Sequence, residues 1–500
     1  MTYSSGSASH VDSVDGAVAR PVIARAGGHA RPERHRSDDA LTRTGGHRSS
    51  GTLTRPGRYG SGGALTRPGG HRFGGAAWAA VLSVLLAMSS IAAVAQTPGS
   101  VPTAEIKAAA PVCKGSNGYA DASDGRRTFL LRPDWLAATK SRGASDPEQA
   151  EAWKHLFALA DKSLNGPTYS VVNKTRVPPS GDKHDYMSMG PYWWPDPKQP
   201  NGEPYLRRDG EVNPERNTDA FDATTMDRMG NAVEALSLAY YFSDDRRYAL
   251  KAAELVRAWF IDPATRMSPN AKFAQGVPGR TPGRGAGVLD TTRLTRVVEG
   301  IGLIAPAKAL SAQELAALER WFADYTTWMM TSPTGQEERD ASNNHGVWYD
   351  FQLAHFALFA RRDDVARTVI EQFPAQRLAK QIEADGKMPR ELERTKAYHY
   401  TIYALQAAAR VAEIAGCVNV DVWRGQGAPR LKAALDFIVP YVGRESEFPY
   451  PDLKPGPDEG SYELFLRAAW AYGDVKYRRA AEVLAEYNPS SEIHLTIARP

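Results

Sequence analysis

The chain is predicted to be mainly α, an incomplete (α/α) toroid or barrel of antiparallel helix pairs, on three observations. From residue 219 onward apolar residues recur at helical spacing, runs of Val, Ile and Thr with period-two alternation are scarce, and the candidate helices are joined by short turns. No common helical-repeat signature recurs, which favours a closed or incomplete toroid over an open solenoid.

Taken in order, residues 1–72 are rich in Gly, Ser, Arg and His and carry no periodic apolar pattern, so they are expected to be disordered. Leu-Thr-Arg recurs at Leu41, Leu53 and Leu65, a period too short and too polar to stack a core, and reads as low complexity or as sequence upstream of the true start. Residues 73–95 form an uncharged apolar run that ends Ala93-Val94-Ala95 and follows Arg72. Basic flank, apolar core and small-residue ending predict a signal peptide cleaved after Ala95, hence a periplasmic or secreted protein with no membrane segment after cleavage. Residues 96–130 read as an N-terminal linker and 131–500 as the toroid. Cys113 and Cys417 are the two cysteines, either bridged in an oxidising compartment or both free.

A first helix is expected at 147–164, with Leu156, Leu159 and Leu164 on one face. A long non-helical stretch follows, carrying Asp185-Tyr186-Met187-Ser188 and Tyr192-Trp193-Trp194-Pro195-Asp196-Pro197. Loops of this length in a compact domain are usually functional, and adjacent aromatics flanked by Arg and Lys suit either sugar stacking or the plugging of a helical core. Further helices are expected at 219–242, 245–260, 290–308, 311–330, 345–361, 363–373, 397–415, 428–441, 459–472 and 474–486. The Gly-rich segment between Phe273 and Gly287 lacks the strand and the Gly-Lys-Ser/Thr of a phosphate loop, and is read as a close-packed loop with Gln275 and Arg284 facing a cleft.

Of 500 residues 42% are hydrophobic, enough for a large core. The net charge of +4 is misleading, because the first 72 residues hold 11 Arg, no Lys and 5 acidic residues, leaving 50 basic and 52 acidic residues in the rest. Such a balance recruits no nucleic acid, so an acidic ligand must be held by a local groove.

Two clusters carry chemistry. Asn343-Asn344-His345 opens the helix at 345–361, with Asp340 and Ser342 as side-chain caps. Free backbone N–H groups and the positive end of the helix dipole make that turn attractive to an anion, although a capping cluster with a hydrogen-bonded histidine explains the same residues. In the second cluster Arg390 and Arg394 precede a helix carrying Tyr398, His399, Tyr400 and Tyr403. Tyr400 and Tyr403 share a face with Ala404 and Ala407 and look core-directed, whereas the two arginines suit carboxylate partners.

Together, Asn343-Asn344-His345 with Trp348, Pro389-Arg390-Glu391-Leu392-Glu393-Arg394-Thr395 with Tyr400 six residues after Arg394, and the Asp185 to Pro197 block resemble the alginate lyase family of helical-toroid polysaccharide lyases over about residues 147–470. The resemblance implies metal-independent β-elimination on a 4-linked uronate polymer, with no cofactor. By it, Asn344 would bind the uronate carboxylate, His345 would act as base or neutralise that carboxylate, Tyr400 would be acid and also a candidate base, and Arg394 would bind carboxylate; as a nearby cation Arg394 is also expected to lower the Tyr400 pKa by favouring the phenolate. Tyr192, Trp193, Trp194, Gln275, Arg284, Trp348, Arg390 and His399 would line the substrate path, with Tyr398 as the alternative acid. The expected partner is an acidic polysaccharide, and the enzyme is expected to be a monomer. Two rivals are kept: an inverting glycoside hydrolase using two of Asp290, Glu391, Asp452, Asp458 and Glu459, and a non-catalytic glycan-binding protein using Trp193 and Trp194.

Overall fold

The computed structural model describes residues 110–500, so the leader and the cleavage site lie outside the described residues. Sixteen α-helical segments follow in order: α1 (Pro133–Arg142), α2 (Ala150–Leu164), α3 (Ala223–Ser243), α4 (Arg246–Val256), α5 (Leu294–Leu303), α6 (Ala312–Thr331), α7 (Pro333–Arg339), α8 (Asn344–Phe359), α9 (Asp363–Phe373), α10 (Ala379–Gln381), α11 (Pro389–Leu392), α12 (Ala397–Ile414), α13 (Ala428–Ile438), α14 (Glu459–Tyr472), α15 (Val475–Tyr487) and α16 (Ile493–Thr496). The mainly α expectation holds, and each long helix lies within a few residues of its expected span.

The differences have local causes. Residues 285–293 form tight 3₁₀ turns, so the helix expected from 290 begins at Leu294. α6 starts where Ser311 and Glu314 close a reciprocal capping box. The short α1, α7 and α11 were not expected, because segments of ten residues or fewer show little periodicity; each begins at a proline, which suits a first helical turn.

α3, α5, α8, α12 and α14 pack successively as an inner row, while α2, α4, α6, α9 and α15 back them. α8 is apolar almost all round, and every residue from Gly346 to Phe359 is buried, as expected of a helix enclosed by neighbours. Two small sheets stand beside the helices: β1 (Met187–Met189) pairs in parallel with β4 (Phe273–Gly276), and β2 (Trp193–Trp194) pairs antiparallel with β3 (Leu206–Arg207).

Residues 113–130, which fall in the expected linker, are bound into the helical body together with Leu131. Cys113 and Cys417 form a disulfide, Phe129 is fully buried, and the backbone N–H groups of Phe129, Leu130 and Leu131 donate to the buried Glu299 carboxylate at 3.0–3.2 Å. The same carboxylate takes His355 Nε2 at 2.7 Å, which pins this segment to α8.

Candidate active site

The start of α8 is capped by Asn343, whose Oδ1 accepts from the His345 N–H at 3.3 Å; neither Asp340 nor Ser342 is the cap. Asn344 is 1% exposed, and its backbone N–H and Nδ2 donate to the two oxygens of Glu391 at 2.5 and 2.7 Å. The anion expected at this helix start is therefore in place already, and it is the protein's own fully buried carboxylate. Burial pushes the Glu391 carboxyl up, against the hydrogen bonds from Asn344 and the charge of Arg394. Glu391 thus uses one of the two amide N–H groups of Asn344.

His345 Nδ1 lies 2.6 Å from Oε1 of Glu338, a residue of α7 that is 3% exposed. A carboxylate only accepts, so Nδ1 carries a hydrogen, and in the neutral tautomer that this fixes, Nε2 is the acceptor; the ring retains 22% exposure. Glu338 was not singled out from the sequence, and nothing in Glu337-Glu338-Arg339 signals that it is sealed against a histidine across a helix break.

From α12, the Tyr400 hydroxyl donates to that of Tyr192 at 2.8 Å. Tyr398, the alternative acid, is 1% exposed and packs against Phe448. The Arg394 guanidinium lies 3.6 Å from the Tyr400 ring centre and forks onto Asp209 at 2.8 and 3.0 Å, with Thr395 Oγ1 on the same carboxylate at 3.1 Å. Arg394 is thus committed to an internal carboxylate. Nor does it set the Tyr400 pKa: burial, followed by Tyr192, drives that hydroxyl well above its ordinary value, and Arg394 offsets only part of this. Arg390 is exposed beside Glu393, on the surface rather than in the cluster.

The loop residues are also rearranged. Trp193 is half-buried beneath Arg280 and Arg284, at 5.3 and 5.9 Å from its ring centre, and Trp194 faces Arg208 at 5.1 Å. Gly190 lets the strand pass Trp193, since a Cβ there would stand 2.6 Å from the indole. Gln275 is 5% exposed and holds Asp290 at 3.0 Å while accepting from Arg284 at 2.7 Å; it braces the arginine rather than facing open cleft. Trp348 is 3% exposed and packs on Tyr403 at 4.7 Å, with His399 stacked on the far side of Tyr403 and paired with Asp458. All three rings line a cavity of about 700 Å³ bounded by α3, α5, α8, α12 and α14, to which Arg293, Arg296 and Arg410 also contribute. Those arginines and Tyr403 were missed as site residues, because at helical spacing they read as salt bridges and core.

The first cluster thus carries an imidazole oriented by a carboxylate, and the second a buried phenol. Among the described residues no group of three or more His, Cys, Asp or Glu side chains is gathered as for a metal.

Residues 170–448 match the family model described as Alginate lyase. The fold is similar to the crystal structure of an alginate lyase from Bacteroides ovatus, 39% identical, with a TM-score of 0.70 over 74% of this chain and 99% of that one. It is also similar to alginate lyase A1-III from Sphingomonas species A1, at 14% identity and a TM-score of 0.42 over 67% of this chain and 91% of that one, a likeness too distant to carry an argument. No curated protein sequence matches. With more than half of its length matched by the family model and a solved relative covered almost end to end, this chain belongs to the alginate lyase family and is a polysaccharide lyase.

Proposed function

We propose that the protein cleaves a 4-linked uronate polymer, alginate or a related polyuronate such as glucuronan, by metal-independent β-elimination. The observation that carries this reading is the contrast between two proton-transfer groups: His345, oriented through Nδ1 by Glu338, and Tyr400, kept protonated by burial. His345 Nε2 takes the C5 proton, and the electron pair moves to form the C4=C5 bond as the C4–O4 bond breaks. Tyr400 turns its hydroxyl from Tyr192 to the departing O4 and gives up its proton there; the phenolate takes a proton from the Tyr192 hydroxyl, which water replenishes, and His345 releases the C5 proton to water. The remaining amide N–H of Asn344 faces the uronate carboxylate as charge develops on it. Arg394 keeps Tyr400 in place through its ring contact and its fork to Asp209.

Three of the five carboxyls weighed for a hydrolase are otherwise engaged. Asp290 accepts from Tyr186, Ser188 and Gln275, Glu391 is sealed under Asn344, and Asp458 holds His399. Export through residues 73–95 and action as a monomer belong to the same reading, and the Cys113–Cys417 bridge is consistent with an oxidising compartment.

The test is to incubate the chain from Gln96, with chelator present, with poly-mannuronate, poly-guluronate, glucuronan, hyaluronan and polygalacturonate while following ultraviolet absorbance of the new double bond. A rise with alginate blocks or glucuronan supports the reading and names the substrate. A flat trace across the panel from folded protein refutes it.

A further inference from the structure

The backbone between Glu338 and Asn344 has to fix two site groups at once, yet its outer flank is not packed. Arg339, Asp340, Ala341 and Ser342 border a cavity of about 510 Å³. What holds this segment is a guanidinium. Arg377, 8% exposed, donates from Nη2 to the Arg339 carbonyl at 2.6 Å and from Nη1 to the Ala341 carbonyl at 3.0 Å. Its Nε and Nη2 fork onto Asp350 of α8 at 2.7 and 3.0 Å. One planar group therefore ties the end of α7, the connecting loop and the body of α8 together.

We propose that Arg377, held by Asp350, is a positioning residue of the lyase reaction. By anchoring the carbonyls of residues 339 and 341 it sets where Glu338 stands relative to His345 and where the Asn344–His345 turn faces the substrate. This rests on the roles given to those residues above.

Three features support the assignment. The Arg339 and Ala341 carbonyls lie at and just beyond the end of α7, where the helix leaves acceptors without intrahelical partners. Gly346 gives the guanidinium its room: a Cβ there would lie 2.4 Å from Arg377 Nη1 and 2.3 Å from the Ala341 carbonyl oxygen. Finally, Arg377 sits on a π-helical turn, Pro374–Leu378, a wide turn that recurs at functional sites. A lysine could not replace it, because one ammonium cannot fork onto a carboxylate and reach two separate carbonyls.

The experiment must separate anchoring from stability. In Arg377→Met/Asp350→Leu the buried ion pair is exchanged for apolar groups of similar size, an exchange that is often neutral for stability, while both loop carbonyls lose their donor. Arg377→Lys keeps the charge opposite Asp350 and serves as the second variant if the double variant does not fold. Each folded variant is assayed for kcat and KM on the polymer that the wild type cleaves, and amide exchange is followed at Asn344 and His345. The expected result is a melting temperature near that of the wild type, kcat lowered about 10- to 100-fold with KM changed less than about threefold, and faster exchange at both amides. A folded variant with wild-type kcat and wild-type exchange overturns the proposal. If the wild type releases no unsaturated product from any polymer, the functional reading fails, and the exchange measurement alone still decides whether Arg377 anchors the turn.

Discussion

Replacing Glu338 by Gln tests the proposed base most directly. The carboxylate accepts from His345 Nδ1 at 2.6 Å and is almost wholly shielded from water, so it fixes which ring nitrogen carries the hydrogen. A carboxamide of the same shape can turn its NH2 toward Nδ1, which moves the ring hydrogen to Nε2. That nitrogen can then no longer accept the C5 proton. General-base assistance contributes about 10²- to 10⁴-fold, or about 3–5 kcal/mol of barrier, and E338Q should lose most of it from kcat. KM should change little, because Glu338 does not reach the substrate. One charge-assisted hydrogen bond is weakened, at a cost of about 1–3 kcal/mol, so the variant should fold and melt a few degrees lower. Initial rates of double-bond absorbance at saturating polymer, read beside a thermal melt, give both quantities. Retention of kcat within about threefold in folded E338Q would refute the role of His345 as an oriented base.

Tyr400→Phe should remove turnover by at least about 10²-fold while leaving polymer binding nearly unchanged, as measured by calorimetric titration without catalysis. For Asp209, burial alone would raise the carboxyl, but the hydrogen bond and charge of Arg394, with Arg207 and Thr395, bring it down to about 2. Its folded value lies below the unfolded one, so its contribution is complete above about pH 4 and is lost as pH falls toward 2. Amide exchange at residues 206–210 should therefore stay slow from neutral pH down to about pH 4 and quicken below it, and quickening near pH 6 would contradict this. Cys113→Ser/Cys417→Ser removes a bridge spanning 304 residues and should cost about 2–4 kcal/mol in denaturant unfolding.

The parts of this site that sequence discloses are those whose residue type carries the chemistry. Asn344 and His345 at a helix start, and Tyr400 after an arginine, are readable because a cap, an apolar period and a short motif are all local. The groups that prepare them are not local. Glu338 belongs to a two-turn helix too short for a period, inside a run of charges that any sequence reading assigns to solvent, and it is buried only because α7 folds back on the start of α8. Glu391 was weighed as a hydrolase carboxyl, and the same acidity instead serves to fill the helix start that seemed open to substrate. Arg394 looked like a carboxylate ligand and is one, but its carboxylate is Asp209, 185 residues away. In all three cases the residue's chemical preference was legible while its partner was not, because preference is a property of one side chain and partnership is a property of the closed chain. An anion-seeking helix start in a helical toroid should therefore be examined first for an internal carboxylate, because a substrate is left only the donors that such a carboxylate does not use.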